Sequence, residues 1–270
     1  MAWNTSSSVF LLLLLVPSTV AAIFTNKTGC GTTKACLFKP NGCDPNLDCT
    51  TGVIFYVIGP NKLRVEMVAA ALIPSVQQQY VAMAFSHDTV MGSDAVTECT
   101  MSDMGPLAGY EPEIFVSFNK GKSNDRIFLN KDEQNVLFSD ISSEVADGRL
   151  VCHFTQQIIP QIDDKNGMIW PLNRDYYIMA ATGSAQPDEV NAHDMNKGSH
   201  FYPITSSHRI NPAKLTDQEF ELPKAHEPPK TSVAPPTVTS QRPRPTTSSS
   251  GSVSLILSIL SISLVQILNN

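Results

Sequence analysis

Short runs in which apolar and polar residues alternate dominate the chain between Gly52 and Ile210. The run KLRVEMVAA (62–70) begins by alternating Lys, Arg and Glu with Leu, Val and Met. Such alternation is typical of a β-strand with one face on a core. Seven runs of this kind, separated by turn residues, are 52–59, 62–70, 80–86, 94–101, 113–119, 149–156 and 175–183. The pattern predicts an all-β fold, an antiparallel β-sandwich or a flattened barrel.

Near its N-terminus the chain carries an apolar block, VFLLLLLV (9–16), which does not follow this alternation. Pro17 and a run of small residues ending at Ala22 follow the block. This order is typical of a secretory signal peptide, although no Lys or Arg precedes the apolar block. We predict that residues 1–22 are removed by cleavage after Ala22. A buried strand or a retained anchor is the alternative.

The chain changes character again after Leu222, where the domain predicted for 23–222 ends. Its next 23 residues contain seven prolines, together with Thr, Ser and Lys, so 223–252 is predicted to be an extended, disordered stalk. The remaining 253–270 is an uncharged apolar tail, which fits either a glycosylphosphatidylinositol (GPI) signal or a short membrane-anchoring helix. We therefore expect a secretory-pathway protein tethered to the cell surface or to the lumenal face of a membrane.

The composition excludes several functional classes. The 270 residues include 25 Asp and Glu against 19 Lys and Arg, which gives a net charge of −6. With a sequence pI of about 5.5, the chain has no basic surface for a nucleic acid partner. No internal run approaches the roughly 20 apolar residues of a spanning helix, so a multi-pass transporter is excluded.

Six cysteines follow the predicted cleavage site, and an even number in an oxidising compartment favours disulfides. They are Cys30, Cys36, Cys43, Cys49, Cys99 and Cys152. Zinc is the alternative, but no two of them form a CxxC pair. The isolated Cys99 and Cys152 are the natural long-range pair, although six cysteines allow 15 connectivities. A glycosylation sequon begins at Asn26.

No complete catalytic apparatus is recognisable, since the chain lacks the GxSxG, HExxH, P-loop and dinucleotide-binding motifs. The remaining candidates for chemistry are a methionine and histidines outside the strands. Met91 lies in a glycine-containing turn, and His193, His200 and His208 lie in later segments. Each residue alone is more typical of loop packing or solvation. A thioether and an imidazole are nevertheless a known pair of axial haem ligands.

Several ordered motifs carry a family resemblance over residues 29–210. They are CGTTKAC (30–36), Cys43-Asp44-Pro45, Cys49, YVAMAFSHDTVMGSDAVTEC (80–99), RLVCHF (149–154) and YYIMAATG (176–183) followed by the His-Asp pair at 193–194. With these motifs the chain resembles the DOMON domain of animal ferric-chelate reductases. The resemblance implies a DOMON-like β-sandwich, a fold that in several branches binds b-type haem or sugars.

The resemblance also implies a ligand set for haem iron. Met91 falls where haem-binding members have an axial methionine, and His193 falls where they have the axial histidine, with His200 as the runner-up. His87 is expected beside this site or in a copper-related role, and His153 is expected to be structural. Trp170 and the adjacent tyrosines 176–177 are expected in the core or along a pocket wall. The implied function is one-electron transfer through haem b, exchanged with a partner or with a small reductant such as ascorbate.

One departure from the family opens an alternative function. Ferric-chelate reductases continue into a six-helix membrane cytochrome, whereas here a stalk and one apolar tail are expected. The domain could therefore be a component of a ferric- or ascorbate-linked reductase system that needs a separate electron donor. Alternatively, it is a non-catalytic accessory domain that contacts a membrane protein, as in a short branch of the family associated with glutamate-receptor assembly. Binding of a glycan or a catechol is a third option.

Overall fold

The computed structural model describes residues 23–102 and 112–227 of the chain. The predicted signal peptide, the apolar tail and most of the predicted stalk lie outside these residues. The described elements are β1 (Ala35–Lys39), β2 (Thr51–Gly59), β3 (Lys62–Ala70), β4 (Gln79–Ser86), β5 (Ser93–Met101), β6 (Glu113–Lys120), β7 (Ser123–Arg126), α1 (Lys131–Leu137), β8 (Phe138–Ala146), β9 (Arg149–Gln157), β10 (Tyr177–Ser184), β11 (Ile204–Thr205) and a 3-10 helix (Pro212–Lys214).

The strands form two antiparallel sheets, which confirms the predicted all-β sandwich. One sheet has five strands in the order β1-β2-β3-β9-β8, and the other has six in the order β11-β10-β4-β5-β6-β7. All seven predicted strand runs are strands of these sheets. Among the described residues, no helix is long and apolar enough to cross a lipid bilayer.

Alternation along the strands explains how the sheets pack. In β4, Val81, Met83 and Phe85 belong to the main core between the sheets. The intervening Ala82 and Ala84 belong to a separate apolar cluster on the opposite face of the same strand. Since successive strand residues point to opposite faces, one eight-residue strand contributes to both layers. Residues after β10, among them Val190, pack on this outer cluster, so β4 is buried on both faces.

Three disulfides stabilise the domain, as predicted for six cysteines in the secretory pathway. Cys99 on β5 is bonded to Cys152 on β9 and so joins the two sheets, which confirms the predicted long-range pair. The other bonds close short loops at Cys30–Cys36 and Cys43–Cys49. None of the six is a free thiol that could ligate zinc.

The sandwich has two ends, which we name after one residue at each. At the Trp170 end, β10 begins at Tyr177 opposite the last residue of β4, Ser86. At the Lys39 end, β10 finishes at Ser184 opposite Gln79. The Gln79 amide donates to the Ala70 carbonyl at 2.9 Å, which joins the two sheets at this end.

Candidate functional site

Met91 lies at the Trp170 end, in the loop 87–92 that connects β4 to β5. Two hydrogen bonds fix the loop next to it: the Gly92 amide donates to the Asp94 carboxylate at 2.9 Å, and the Gly121 amide donates to the Gly92 carbonyl at 3.0 Å. Asp94 itself is fully buried. The Met91 side chain is half-buried, so its thioether is held at the surface of an ordered turn rather than in the core.

Aromatic rings line the same end. The His87 imidazole stacks on the Trp170 indole with ring centroids 4.6 Å apart, and it lies 5.4 Å from the Tyr176 ring. Trp170 also stacks on Tyr176 and meets Phe118 edge-on. Tyr176 is part of the core, whereas Trp170 is half-buried. The rings therefore extend the core toward the loop that carries Met91, which suits an apolar binding wall.

His208 lies at the Trp170 end as well. The segment that follows β11 pairs with the start of β10, because Ile210 and Tyr176 exchange both backbone hydrogen bonds, at 2.7 and 2.9 Å. The neighbouring Arg209 guanidinium donates to the His87 carbonyl at 2.6 Å. This bond ties the His208 segment to the loop that carries Met91. A thioether and two imidazoles are thus presented at one end of the sheet.

The His208 ring is exposed and free to act as a ligand on one side. Its Nδ1 lies 3.1 Å from the Ser207 hydroxyl, and its backbone carbonyl accepts from the Ser206 hydroxyl at 2.7 Å. No hydrogen bond to Nε2 is found in the described part of the chain. When one ring nitrogen is held by a neighbour, the other is oriented for metal ligation.

The structure does not bring His193 to Met91. The Asn191 amide donates to the Ser184 carbonyl at 3.0 Å, so the segment leading to His193 starts at the Lys39 end. His193 Nδ1 lies 3.1 Å from the Asp194 carbonyl. Strands β4 and β10, eight residues each, separate the two ends by about 23 Å at roughly 3.3 Å per residue.

His200, the predicted runner-up, is also at the Lys39 end. Its carbonyl accepts from the Thr50 hydroxyl at 2.9 Å, and the neighbouring Ser199 carbonyl accepts from the Lys39 ammonium at the same distance. Two axial ligands must both lie within a bond length, about 2 Å, of one iron atom. Met91 paired with either His193 or His200 does not meet that requirement, because the residues sit at opposite ends of the sheet.

Distance along the chain does not show at which end of a strand a loop emerges. His193 follows the C-terminal end of β10, and His208 precedes the pairing with its N-terminal end. The two histidines are 15 positions apart in the sequence, but a return segment along the sheet edge lies between them. No local signal in the sequence marks His208, because the strand just before it, β11, has only the two residues Ile204 and Thr205.

A second polar cluster lies on the outer face of the five-stranded sheet. The His153 ring is buried, with Nε2 3.1 Å from the Thr25 hydroxyl and 3.9 Å from a Glu66 carboxylate oxygen. The other Glu66 oxygen accepts from the Tyr56 hydroxyl at 3.0 Å. Burial, with a smaller effect of Arg64, lowers the pKa of His153 to about 4. A nearby carboxylate such as Glu66 favours the protonated imidazole and so raises its pKa. At 3.9 Å this attraction is smaller than the effect of burying the His153 ring.

His153 is therefore neutral near pH 7. Burial also raises the pKa of Tyr56 to about 12, with the adjacent Glu66 charge adding to the shift. The cluster is buried beneath Thr25, and its hydrogen bonds join Thr25 to His153 and Tyr56 to Glu66. It is a structural network, in agreement with the role expected for His153.

A buried ion pair lies on the outer face of the six-stranded sheet. The Arg126 guanidinium on β7 donates to the Glu98 carboxylate on β5 at 3.0 Å, and Glu98 is fully buried. Arg126 also donates to the Thr100 hydroxyl at 3.1 Å and to the Pro187 carbonyl at 2.7 Å. Burial and the Glu98 charge raise the pKa of Tyr80 above its ordinary value. Arg126 thereby connects the sheet edge to the loop that follows β10.

The one metal-type group of His, Cys, Asp and Glu side chains found in the described residues is Cys43, Asp48 and Cys49. Its two cysteines are bonded to each other. Disulfide sulfurs are not thiolates, and a cysteine ligates zinc as a thiolate. This group is therefore a loop closed by a disulfide rather than a metal centre.

Comparison with known proteins places these features in a wider context. No protein-family model matches the chain. The protein of Danio rerio named "Putative ferric-chelate reductase 1" is 31% identical over 217 residues, which cover 78% of this chain and 33% of that protein. Ferric-chelate reductase 1 of Bos taurus is 27% identical over 62% of this chain and 25% of its own length.

The protein of Drosophila melanogaster named "Putative ferric-chelate reductase 1 homolog" is 25% identical over 75% of this chain and 29% of its own length. The chain thus matches a third or less of the length of these relatives. The matched residues span most of the chain, so the relationship extends through the sandwich rather than through one motif.

Proposed function

This chain is a relative of the animal ferric-chelate reductase 1 proteins, and from that premise we propose that its sandwich is an extracytoplasmic domain for one-electron transfer. The observation that carries the proposal is the meeting of the Met91 loop and the His208 segment at the Trp170 end. The Arg209–His87 hydrogen bond of 2.6 Å links the two. Beside them, the rings of Trp170 and Tyr176 supply an apolar wall.

The cofactor we propose is haem b, held by the Met91 thioether and the His208 imidazole. The donor set fits, because a half-buried methionine and an exposed histidine emerge from neighbouring segments next to aromatic rings. Methionine–histidine ligation gives haem iron a higher reduction potential than two histidines. When bound, the haem supplies the one-electron chemistry, and the protein supplies ligands and an apolar wall.

Each neighbouring side chain has a separate task in this proposal. The Ser207 hydroxyl next to His208 Nδ1 orients the imidazole so that Nε2 faces outward. Trp170 and Tyr176 exclude water on one side of the site. The His87 ring is already stacked on Trp170, and the His87 carbonyl accepts from Arg209. We therefore propose that His87 forms part of the apolar wall rather than binding iron.

An absorption spectrum of the purified protein after haem loading and reduction tests this proposal. We expect a Soret band and a sharp α-band in the wild type, and loss of the low-spin spectrum in Met91→Ala and in His208→Ala. His193→Ala is the matched control, since it removes an imidazole at the Lys39 end, and it should keep the full spectrum. A wild type without a Soret band, or a His193→Ala variant that loses it, would contradict the proposal.

The three disulfides and the relatives are consistent with a protein of the secretory pathway or the extracellular space. We propose further that the chain is glycosylated at Asn26, whose side chain is exposed, and held at the cell surface by a GPI anchor. Release from cells by a phosphatidylinositol-specific phospholipase tests the anchor. Retention in the membrane after treatment would indicate a tail helix instead.

A second candidate function is contact with a membrane protein, and exposed apolar residues at the Lys39 end favour it. Leu47 in the Cys43–Cys49 loop is 77% exposed, and Ile73 after β3 is 90% exposed. Arg149 donates to the Leu47 carbonyl at 3.4 Å and pairs with Ala70, so the two side chains flank the same end. Replacing both with serine should abolish co-purification of such a partner and leave the haem spectrum unchanged.

A further inference from the structure

Ile23 is the first residue after the predicted cleavage site, and its backbone is anchored. Its amide nitrogen donates to the Glu144 carboxylate on β8 at 2.6 Å, across 121 positions of sequence. Its side chain packs on the apolar cluster that contains the Cys43–Cys49 disulfide and Val68. Both the nitrogen and the side chain of this residue therefore have a defined place on the five-stranded sheet.

Hydrogen bonds also hold Thr25, two residues after Ile23, in a defined position. The Asn46 side chain accepts from the Thr25 amide at 2.9 Å and donates to the Thr25 carbonyl at 2.8 Å, in the manner of a neighbouring strand. The Thr25 hydroxyl lies 3.1 Å from His153 Nε2, and Thr25 is fully buried. Phe24 between them is exposed. The short segment from Ile23 to Thr25 thus covers the buried cluster around His153.

We propose that cleavage after Ala22 creates an α-ammonium group on Ile23 that forms an ion pair with Glu144 and locks the mature N-terminus onto the sheet. The residue that the signal peptidase exposes is then part of the folded structure rather than a loose end. This inference rests on the predicted cleavage and on contacts of residues 23–25. It does not depend on haem binding.

The chemical step is hydrolysis of one peptide bond. Water adds across the C–N bond between Ala22 and Ile23, so that Ala22 gains a carboxyl group and Ile23 gains an amine. At neutral pH the carboxyl group releases a proton and the amine takes one up, because α-amino groups have an ordinary pKa of about 8. The enzyme is the signal peptidase of the secretory pathway, and no other reactant is needed.

Cleavage strengthens a contact that is already in place. The uncleaved chain offers Glu144 one neutral amide donor, whereas the ammonium offers three donors and a full positive charge. The carboxylate already makes the amide hydrogen bond charge-assisted, and the ammonium adds the Coulomb attraction between two opposite charges. Glu144 is half-buried, so this pair is screened less than a pair on the open surface. One additional residue at the N-terminus would move the charge by about 3.8 Å and break the pairing.

The full chain, expressed with its own leader and purified from the secretory pathway, provides the test. Mass spectrometry of the N-terminal peptide should identify Ile23 as the first residue. Glu144→Gln keeps the shape of the side chain but removes its charge, and it should lower the thermal midpoint by about 2–4 °C. Glu113→Gln, an exposed glutamate on β6, is the matched control and should leave the midpoint unchanged.

A second chain with one glycine inserted after Ala22 separates an ion pair from an ordinary side-chain contact. In that background, Glu144→Gln should change the midpoint by less than 1 °C. Reductive methylation of the Ile23 amine should also be several-fold faster in Glu144→Gln than in the wild type. A mature N-terminus at another residue, an equal loss in both backgrounds, or equal methylation rates would each overturn the proposal.

Discussion

The two ends of the six-stranded sheet both carry histidines, but the histidines are in different chemical settings. At the Lys39 end, hydrogen bonds from the Ser199 hydroxyl and the Asn196 amide hold the pKa of the Asp194 carboxyl below its usual value. Polar groups around His193 and His200 thus satisfy one another. At the Trp170 end, the segment that carries His208 is joined to the Met91 loop by the Arg209–His87 hydrogen bond, and His87 stacks on Trp170.

This difference shows what makes a ligand site in this fold. A histidine in a loop is common, and its position along the chain says little about its neighbours. A site needs two donors that reach the same point beside an apolar wall. Within the part of the chain that the structure describes, we propose the Trp170 end as such a site, because the Met91 loop and the His208 segment are joined there beside stacked rings.

The largest predicted effect comes from breaking the disulfide that joins the two sheets between these ends. Replacing Cys99 and Cys152 with alanine should lower the free energy of unfolding by about 4 kcal/mol, since this disulfide closes a loop 53 positions long. Urea unfolding at pH 7 measures the loss. Fluorescence of Trp170 reports on its own end, and proteolysis near Lys39 reports on the other. Loss of one end before the other would show that the disulfide supports them unequally.

The next effect is the pH dependence of stability, which distinguishes the buried His153 from the histidines at the two ends. His153 has a pKa of about 4 in the folded protein, against an ordinary value of 6.5. The unfolded chain therefore binds a proton first, and stability is full above pH 6.5 and falls as the pH drops toward 4. The difference corresponds to about 3 kcal/mol.

Urea unfolding between pH 7 and pH 4 tests this dependence. His153→Gln should flatten the fall in stability, whereas His193→Gln at the Lys39 end should reproduce the wild-type curve. A His153→Gln variant with the full wild-type slope would show that carboxylates rather than this histidine control acid stability.

A smaller effect compares one tyrosine from each end. The buried Tyr176 hydroxyl donates to the Pro171 carbonyl at 2.8 Å, so Tyr176→Phe should cost about 1 kcal/mol and loosen Trp170. Tyr202→Phe at the Lys39 end should cost nothing measurable, because the contact of this residue with Lys39 uses its ring and its carbonyl. Thermal unfolding, with tryptophan emission as the probe, measures both. Equal costs would contradict the packing described at the two ends.

Much of the fold could be predicted because its central strands alternate clearly. The elements missed were β1, β7, β8, β11 and α1. The edge strand β8 is rich in Ser, Asp and Glu, and its apolar residues Phe138, Ile141 and Val145 do not recur at every second position. Helix α1 has seven residues and depends on a local capping box between Asn130 and Glu133 rather than on an apolar face. Such short elements are stabilised by tertiary contacts.

The candidate site was only half predictable. Met91 could be proposed from its glycine-containing turn and from the family resemblance, whereas its proposed partner His208 depends on where the segment after β10 returns along the sheet. That path is set by long-range contacts, such as the bonds between Tyr176 and Ile210 and the bond from Arg209 to His87. No local pattern encodes them.

The most direct test of the haem site that we propose at the Trp170 end is the reduction potential of the Met91→His variant after haem loading. A second imidazole in place of the thioether keeps iron six-coordinate and favours a lower potential. Potentiometric titration should therefore show a potential clearly below that of the wild type, with a Met195→His control at the Lys39 end unchanged. An unaltered potential in Met91→His would contradict the proposed ligation.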